Sequence, residues 1–230
     1  MKSAICLSGL PRGLLECSKS IIKNLIEPNK ADVFIHAWDN PEKSGELYRT
    51  SHPVFQSKHL ESTASKIIDI YKPKYFLLEP QIQFTTDGFH SIYQPNDKYF
   101  IFAIQSMFYS IKHSNECKRK YEFDINFKYD AVCRCRFDMI INKPIVFDEL
   151  DLTKINIKND CKHEQGCTND HIAVSSSRNM DIYSSTYNVM YGMYHDGCPW
   201  CGEIFLGRWL KKNNLEIVDG GFDYRLLEAT

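Results

Sequence analysis

The chain has 230 residues, 43% hydrophobic and 25% charged, enough to bury a sizeable core in one large domain or two small ones. That balance excludes disorder, collagen and coiled coil, and a net charge of -1 gives no overall attraction to nucleic acid or an acidic membrane. No apolar run approaches the roughly 18 residues of a spanning helix, the first one is too short for a signal peptide, and nine scattered cysteines without a secretory leader fit a reducing, cytoplasmic compartment.

Residues 3–7 read as a short apolar strand that ends in Ser8-Gly9-Leu10-Pro11-Arg12-Gly13. Leu14, Leu15, Ile21, Ile22, Leu25 and Ile26 then recur at helical spacing until Pro28 stops the pattern. Ala31 to Ala37 is a second strand, so the chain opens as a βαβ unit with a parallel sheet. Residues 40–55 read as loop, Leu60 to Tyr71 as helix and Tyr75–Leu78 as strand. An irregular excursion follows over 80–97, marked by Pro80, Gly88 and Pro95. A long amphipathic helix, roughly Tyr99 to Tyr121, turns Phe100, Ala103, Ile104, Met107, Phe108 and Ile111 to the core. Tyr129 to Asp138 is the next strand, followed by strands at Ile155–Ile157 and His171–Ser175. Helices near Asn179–Met190 and Gly202–Lys212 precede a last strand at Leu215–Val218. With no repeat and no linker, the pattern predicts one α/β domain with a mainly parallel central sheet flanked by helices.

Three groups of residues point to chemistry. In an open α/β sheet, ligands bind beyond the carboxyl ends of the strands. There, Ser8 and Gly9 let backbone approach a ligand, the following helix start favours phosphate, and Arg12 can add a bidentate contact. The alternative is a plain strand-to-helix turn with an exposed arginine. Period-two alternation puts Arg134, Arg136 and Asp138 on one strand face and Ala131, Cys133, Cys135 and Phe137 on the other. Two arginines among apolar neighbours call for an anion. Asp138 is either a ligand for a divalent cation, which takes hard carboxylate oxygens, or the partner of an internal Arg–Asp pair. Asp170, after Asn169, and Glu203, after Cys198-Pro199-Trp200-Cys201, are candidate general bases for a hydroxyl, with helix capping as the alternative.

Among the cysteines, Cys6, Cys133 and Cys135 read as buried thiols. Cys161, Cys167, Cys198 and Cys201, with His163 in reserve, could build a structural zinc site; unpaired thiols are the alternative. His36 reads as a core histidine or a ligand contact, and His195, in a glycine-containing loop, as a candidate metal ligand.

Ile5-Cys6-Leu7-Ser8-Gly9-Leu10-Pro11-Arg12 and Ala31-Asp32-Val33-Phe34-Ile35-His36-Ala37-Trp38 resemble the opening of a glycosyltransferase group found in large DNA viruses and bacterial surface-polysaccharide clusters. The resemblance continues through Met107-Phe108-Tyr109-Ser110-Ile111, Tyr129 to Asp138, Asn169-Asp170-His171, and Glu203 with its helix. It implies a Rossmann-like GT-A fold, with a nucleotide-binding part over about 1–140 merging into an acceptor part over about 141–230. It further implies transfer of a sugar from a nucleoside diphosphate sugar to a glycan or other hydroxyl acceptor. Such enzymes hold the donor through a DxD motif and a divalent cation, manganese or magnesium. Here Asp138 stands at the last acidic position but Arg136 at the earlier one, leaving open whether a cation or an arginine neutralises the diphosphate. Ser8, Gly9, Arg12, His36, Arg134 and Arg136 are the expected donor contacts, Asp138 the expected metal ligand, and Asp170 or Glu203 the expected base. The rival expectations are a non-catalytic nucleotide- or sugar-binding domain and a zinc-stabilised interaction domain.

Overall fold

Strand β1 (Ser3–Gly9) is apolar on both sides: Ile5 and Leu7 join one buried cluster, Ala4 and Cys6 another. A strand of that kind needs cover on both faces, and helices supply it. The computed structural model describes residues 1–40, 63–91, 98–161 and 166–227. Its further strands are β2 (Asp32–Trp38), β3 (Tyr75–Glu79), β4 (Ala131–Arg136), β5 (Met139–Ile141), β6 (Ile155–Ile157), β7 (Ile172–Ser176), β8 (Ile217–Asp219) and β9 (Tyr224–Leu226). Seven of them form one sheet in the order β3-β2-β1-β4-β7-β6-β8, while β5 and β9 make a separate antiparallel pair. Within the large sheet only β7 runs against its neighbours. The sheet is therefore mainly parallel, as expected, and the architecture is compatible with a Rossmann-like fold.

Helices α1 (Leu14–Ile21), α2 (Glu27–Asn29) and α3 (Thr63–Tyr71) follow the first strands. Leu14, Cys17, Ile21, Ile67 and Tyr71 bury one face of the sheet. The long helix α4 (Lys98–Asp124), with α5 (Ser177–Ser184), α6 (Thr186–His195) and α7 (Gly202–Lys212), covers the other through residues such as Phe108, Ile111, Tyr183 and Leu210. The chain runs outward from β1 through β2 to β3, then returns along α4 to lay β4 on the opposite side of β1. That reversal opens a crevice at the carboxyl ends of β1 and β4, where open α/β sheets bind ligands.

Some local expectations change. Pro28 does not end the first helix; the chain passes through a π turn (Ile22–Ile26) into α2. Having no N–H, Pro28 leaves the Asn24 carbonyl without its helical donor, and the Ile145 N–H takes it at 2.8 Å. The Asn24 side chain donates to the Ile141 carbonyl at 2.7 Å, so this irregular turn is stitched to β5. Strand β4 stops at Arg136, and Phe137-Asp138 turn the chain into β5. The helix expected over Asn179–Met190 breaks at Ser185, whose hydroxyl and the neighbouring Ile182 carbonyl both accept from the Trp209 indole at 3.0 Å. The last sheet strand is Ile217–Asp219 rather than Leu215–Val218.

Past Asn40, the loop expected over 40–55 lies outside the described residues. So do 60–62 of the next helix, 92–97 of the irregular excursion and His163. Among the described residues, no helix is long and apolar enough to cross a membrane.

Candidate functional site

Strand β1 delivers Ser8 and Gly9 to the rim of the crevice. Gly9 has φ +113°, a conformation L side chains rarely adopt, and a Cβ there would meet nothing within 4 Å, so bare backbone faces open space. Four residues on, Gly13 (φ +60°) caps α1, and a Cβ on it would clash with Leu227 Cδ2. Across the β1–β4 ladder, Cys6 pairs with Arg134 and Ser8 with Arg136. The opposite side chains, Cys133, Cys135 and Phe137, are buried with the α1 layer.

A cleft of about 340 Å³ fills this crevice. Ser8, Gly9, Arg12, Arg134, Arg136, Asp138, Asp170 and Glu203 all line it, with His171 among them. Facing them are Trp38 from β2, Tyr99, Phe100, Phe102 and Met107 from α4, and Leu226 from β9. Eight of the nine residues expected at the site thus share one cavity.

Asp138 is the electrostatic centre. It is 3% exposed, and both of its oxygens accept charged hydrogen bonds. Arg136 grips it with Nε at 2.7 Å from Oδ1 and Nη2 at 2.8 Å from Oδ2, and Arg12 Nη2 lies 2.7 Å from Oδ2. Burial alone would raise the Asp138 pKa, but Arg136 and Arg12 override it and hold the carboxyl well below the usual range. This donor set suits an anion better than a divalent cation. A cation needs several hard oxygens, whereas the Asp138 oxygens are already engaged and Arg136 stands beside them. Among the described residues, no group of three His, Cys, Asp or Glu is placed to share an ion.

Arg134 does a different job. It is 2% exposed, and its Nη1 donates to the Asp170 and His171 carbonyls, fixing the approach to β7. Its buried Nε has no hydrogen-bond partner. Asp170 is largely buried, with Oδ2 so close to the start of α7 that a Cβ on Gly202 would lie 3.3 Å from it. Oδ1 is 3.7 Å from His171 Nε2. Burial, reinforced by the Arg136 charge, lowers the His171 pKa to about 4 and keeps the ring neutral. Glu203, half-buried in the first turn of α7, accepts from the Cys201 thiol at 3.1 Å.

His36 is not brought to the cleft. Its ring is fully buried, with Nδ1 2.7 Å from Ser110 Oγ and Nε2 3.0 Å from Glu79 Oε1. It packs edge-on against Trp38 at 4.8 Å, so it supports the cleft wall as a core residue instead of meeting a ligand. His195 lies at the end of α6, exposed, with its ring against Phe89 and Tyr194. The four cysteines of the zinc reading are not gathered as four thiolates among the described residues. Cys161 and Cys167 are joined in a disulfide, which removes two of the four expected thiolates and departs from the expectation of unpaired thiols, while Cys198 and Cys201 are buried outside that disulfide.

Two features of the cleft were given no role from sequence. Phe100 and Met107 share the apolar stripe of α4 and read as core, although they line the cavity. Leu226 comes from a strand too short to show a period. Compared with known proteins, the chain matches no family model and no curated protein.

Proposed function

We propose that the protein is a glycosyltransferase that moves a sugar from a nucleoside diphosphate sugar to a hydroxyl acceptor. The observation that carries this reading is the gathering of Ser8, Arg12, Arg136 and Asp138 at the β1/β4 switch point, on the same cleft wall as Asp170 and Glu203. The first group suits a diphosphate: an open backbone edge at Gly9, a buried hydroxyl and two guanidiniums. The carboxylates suit removal of a proton from the incoming hydroxyl. Glu203 is the better candidate, being less buried than Asp170.

In the transfer, the bond from the anomeric carbon to the diphosphate oxygen breaks and a bond to the acceptor oxygen forms. The acceptor proton passes to Glu203, and the negative charge growing on the departing diphosphate is met by Arg136 and Arg12. Trp38, Tyr99 and Phe102 supply apolar and aromatic surface across the cleft, suited to the faces of a base or a sugar ring.

The test is a thermal-shift panel of nucleoside diphosphates and their sugars, followed by assay of donor hydrolysis. A ligand that binds only the folded state raises its melting temperature by mass action. A shift with one base class together with slow hydrolysis is expected. A shift without hydrolysis would point to a non-catalytic binding domain, and no shift across the panel would end the donor reading.

A further inference from the structure

We propose that Arg12 and Arg136 take the place of a divalent cation at this cleft, so that the diphosphate of the donor is bound without metal. The inference rests on the donor-site reading above and goes beyond it by naming what carries the phosphate charge.

Three observations support it. First, Asp138, the one carboxylate at the junction of β4 and β5, accepts three hydrogen bonds from two guanidiniums. A cation placed on those oxygens would sit against two positive groups bonded to the same atoms, a repulsive arrangement in a poorly solvated site. Asp138 is instead the positioning residue that aims both arginines. Second, Arg136 spends only Nε and one Nη2 hydrogen on Asp138. A guanidinium has five N–H donors, which leaves three, and its side chain is 19% exposed on the cleft wall. Third, the Ser8 hydroxyl lines the same wall, is 3% exposed and has no hydrogen-bond partner. Its residue is the register partner of Arg136. A buried hydroxyl without a partner costs free energy until an acceptor arrives, and a phosphate oxygen is such an acceptor.

The experiment is calorimetric titration of the whole protein with uridine, guanosine, cytidine, adenosine and thymidine diphosphates, in excess chelator and again in excess manganese. The expected result is that one diphosphate binds in chelator with an affinity within about threefold of that in manganese. Arg136→Ala should weaken it roughly ten- to a hundredfold in both conditions, with Arg136→Lys falling between because it keeps the charge and loses the fork. Binding seen only with manganese would overturn the metal-free inference and leave the donor reading standing. No binding in either condition would overturn both. Unchanged affinity in Arg136→Ala would remove the arginine from the phosphate site. The wild-type comparison decides the metal question even if a variant fails to fold.

Discussion

Ser8 and Arg136 are register partners at the carboxyl ends of β1 and β4. One ladder position therefore fixes the spacing between the glycine-bearing turn and the strongest phosphate candidate. Neither residue depends on a flexible loop for its place, the condition under which a binding geometry is held before the ligand arrives.

Ser8→Ala separates a binding role from a structural one. The hydroxyl is buried without a partner in the fold, so its removal should relieve a desolvation cost and raise unfolding free energy by about 1 kcal/mol. Diphosphate affinity should fall about fivefold, the loss of one hydrogen bond worth roughly 1 kcal/mol. Denaturant unfolding and ligand titration measure the two. A large stability loss with unchanged affinity would make the hydroxyl a structural group.

Glu203→Gln should lower the transfer rate by about two to four orders of magnitude while donor affinity stays within about twofold. The amide keeps the shape and cannot take the acceptor proton. Asp170→Asn is the matched comparison under saturating donor. Should Asp170→Asn alone abolish turnover, the base is Asp170.

Stability should fall as the medium becomes acidic, through the buried imidazoles. Burial lowers His36 from 6.5 to about 4, despite Glu79 pulling the other way, and His171 is likewise lowered to about 4. Between those values the unfolded chain binds protons the native state does not. Their contribution is thus complete above pH 6.5 and lost as pH drops toward 4, on the order of 3 kcal/mol for the fully buried His36. Asp138 adds a loss only at still lower pH, since its carboxyl is held well below the usual range. Melting temperature measured across this window should decline, and His36→Gln should flatten the slope; an unchanged slope would rule out titration of His36 as a cause.

Gly13→Ala should destabilise the fold by about 1–2 kcal/mol, because φ is +60° there and an L side chain resists that region. The contact with Leu227 Cδ2 adds a steric part that a flexible side chain relieves by moving. The double variant with Leu227→Ala should recover that part alone, read by denaturant midpoint.

The sheet was legible in the sequence where strands are buried on both faces. ADVFIHA and AVCRC read as continuous apolar or alternating runs, and Ser8, Arg136 and Asp138 followed from strand ends and period two. Tertiary pairing hid the rest. Strands β5 and β9 are three residues each and owe their existence to one another. Pro28 looks like a helix stop because the Ile145 amide that rescues the Asn24 carbonyl is remote in sequence. Arg134 and Arg136 are equivalent by periodicity, yet the backbone carbonyls before β7 claim the first and Asp138 the second. No local pattern distinguishes a carbonyl partner from a carboxylate one.

The pairing of β5 with β9 sets a timetable for the cleft. Leu226 lines the cavity and the Leu227 amide bonds to the Asp138 carbonyl at 2.8 Å, so this segment closes on the residue that holds the two arginines. During synthesis every strand of the large sheet has been translated before Tyr224 emerges. A nascent chain can thus complete its scaffold while the cleft still lacks one side, and β9 is the strand that supplies it.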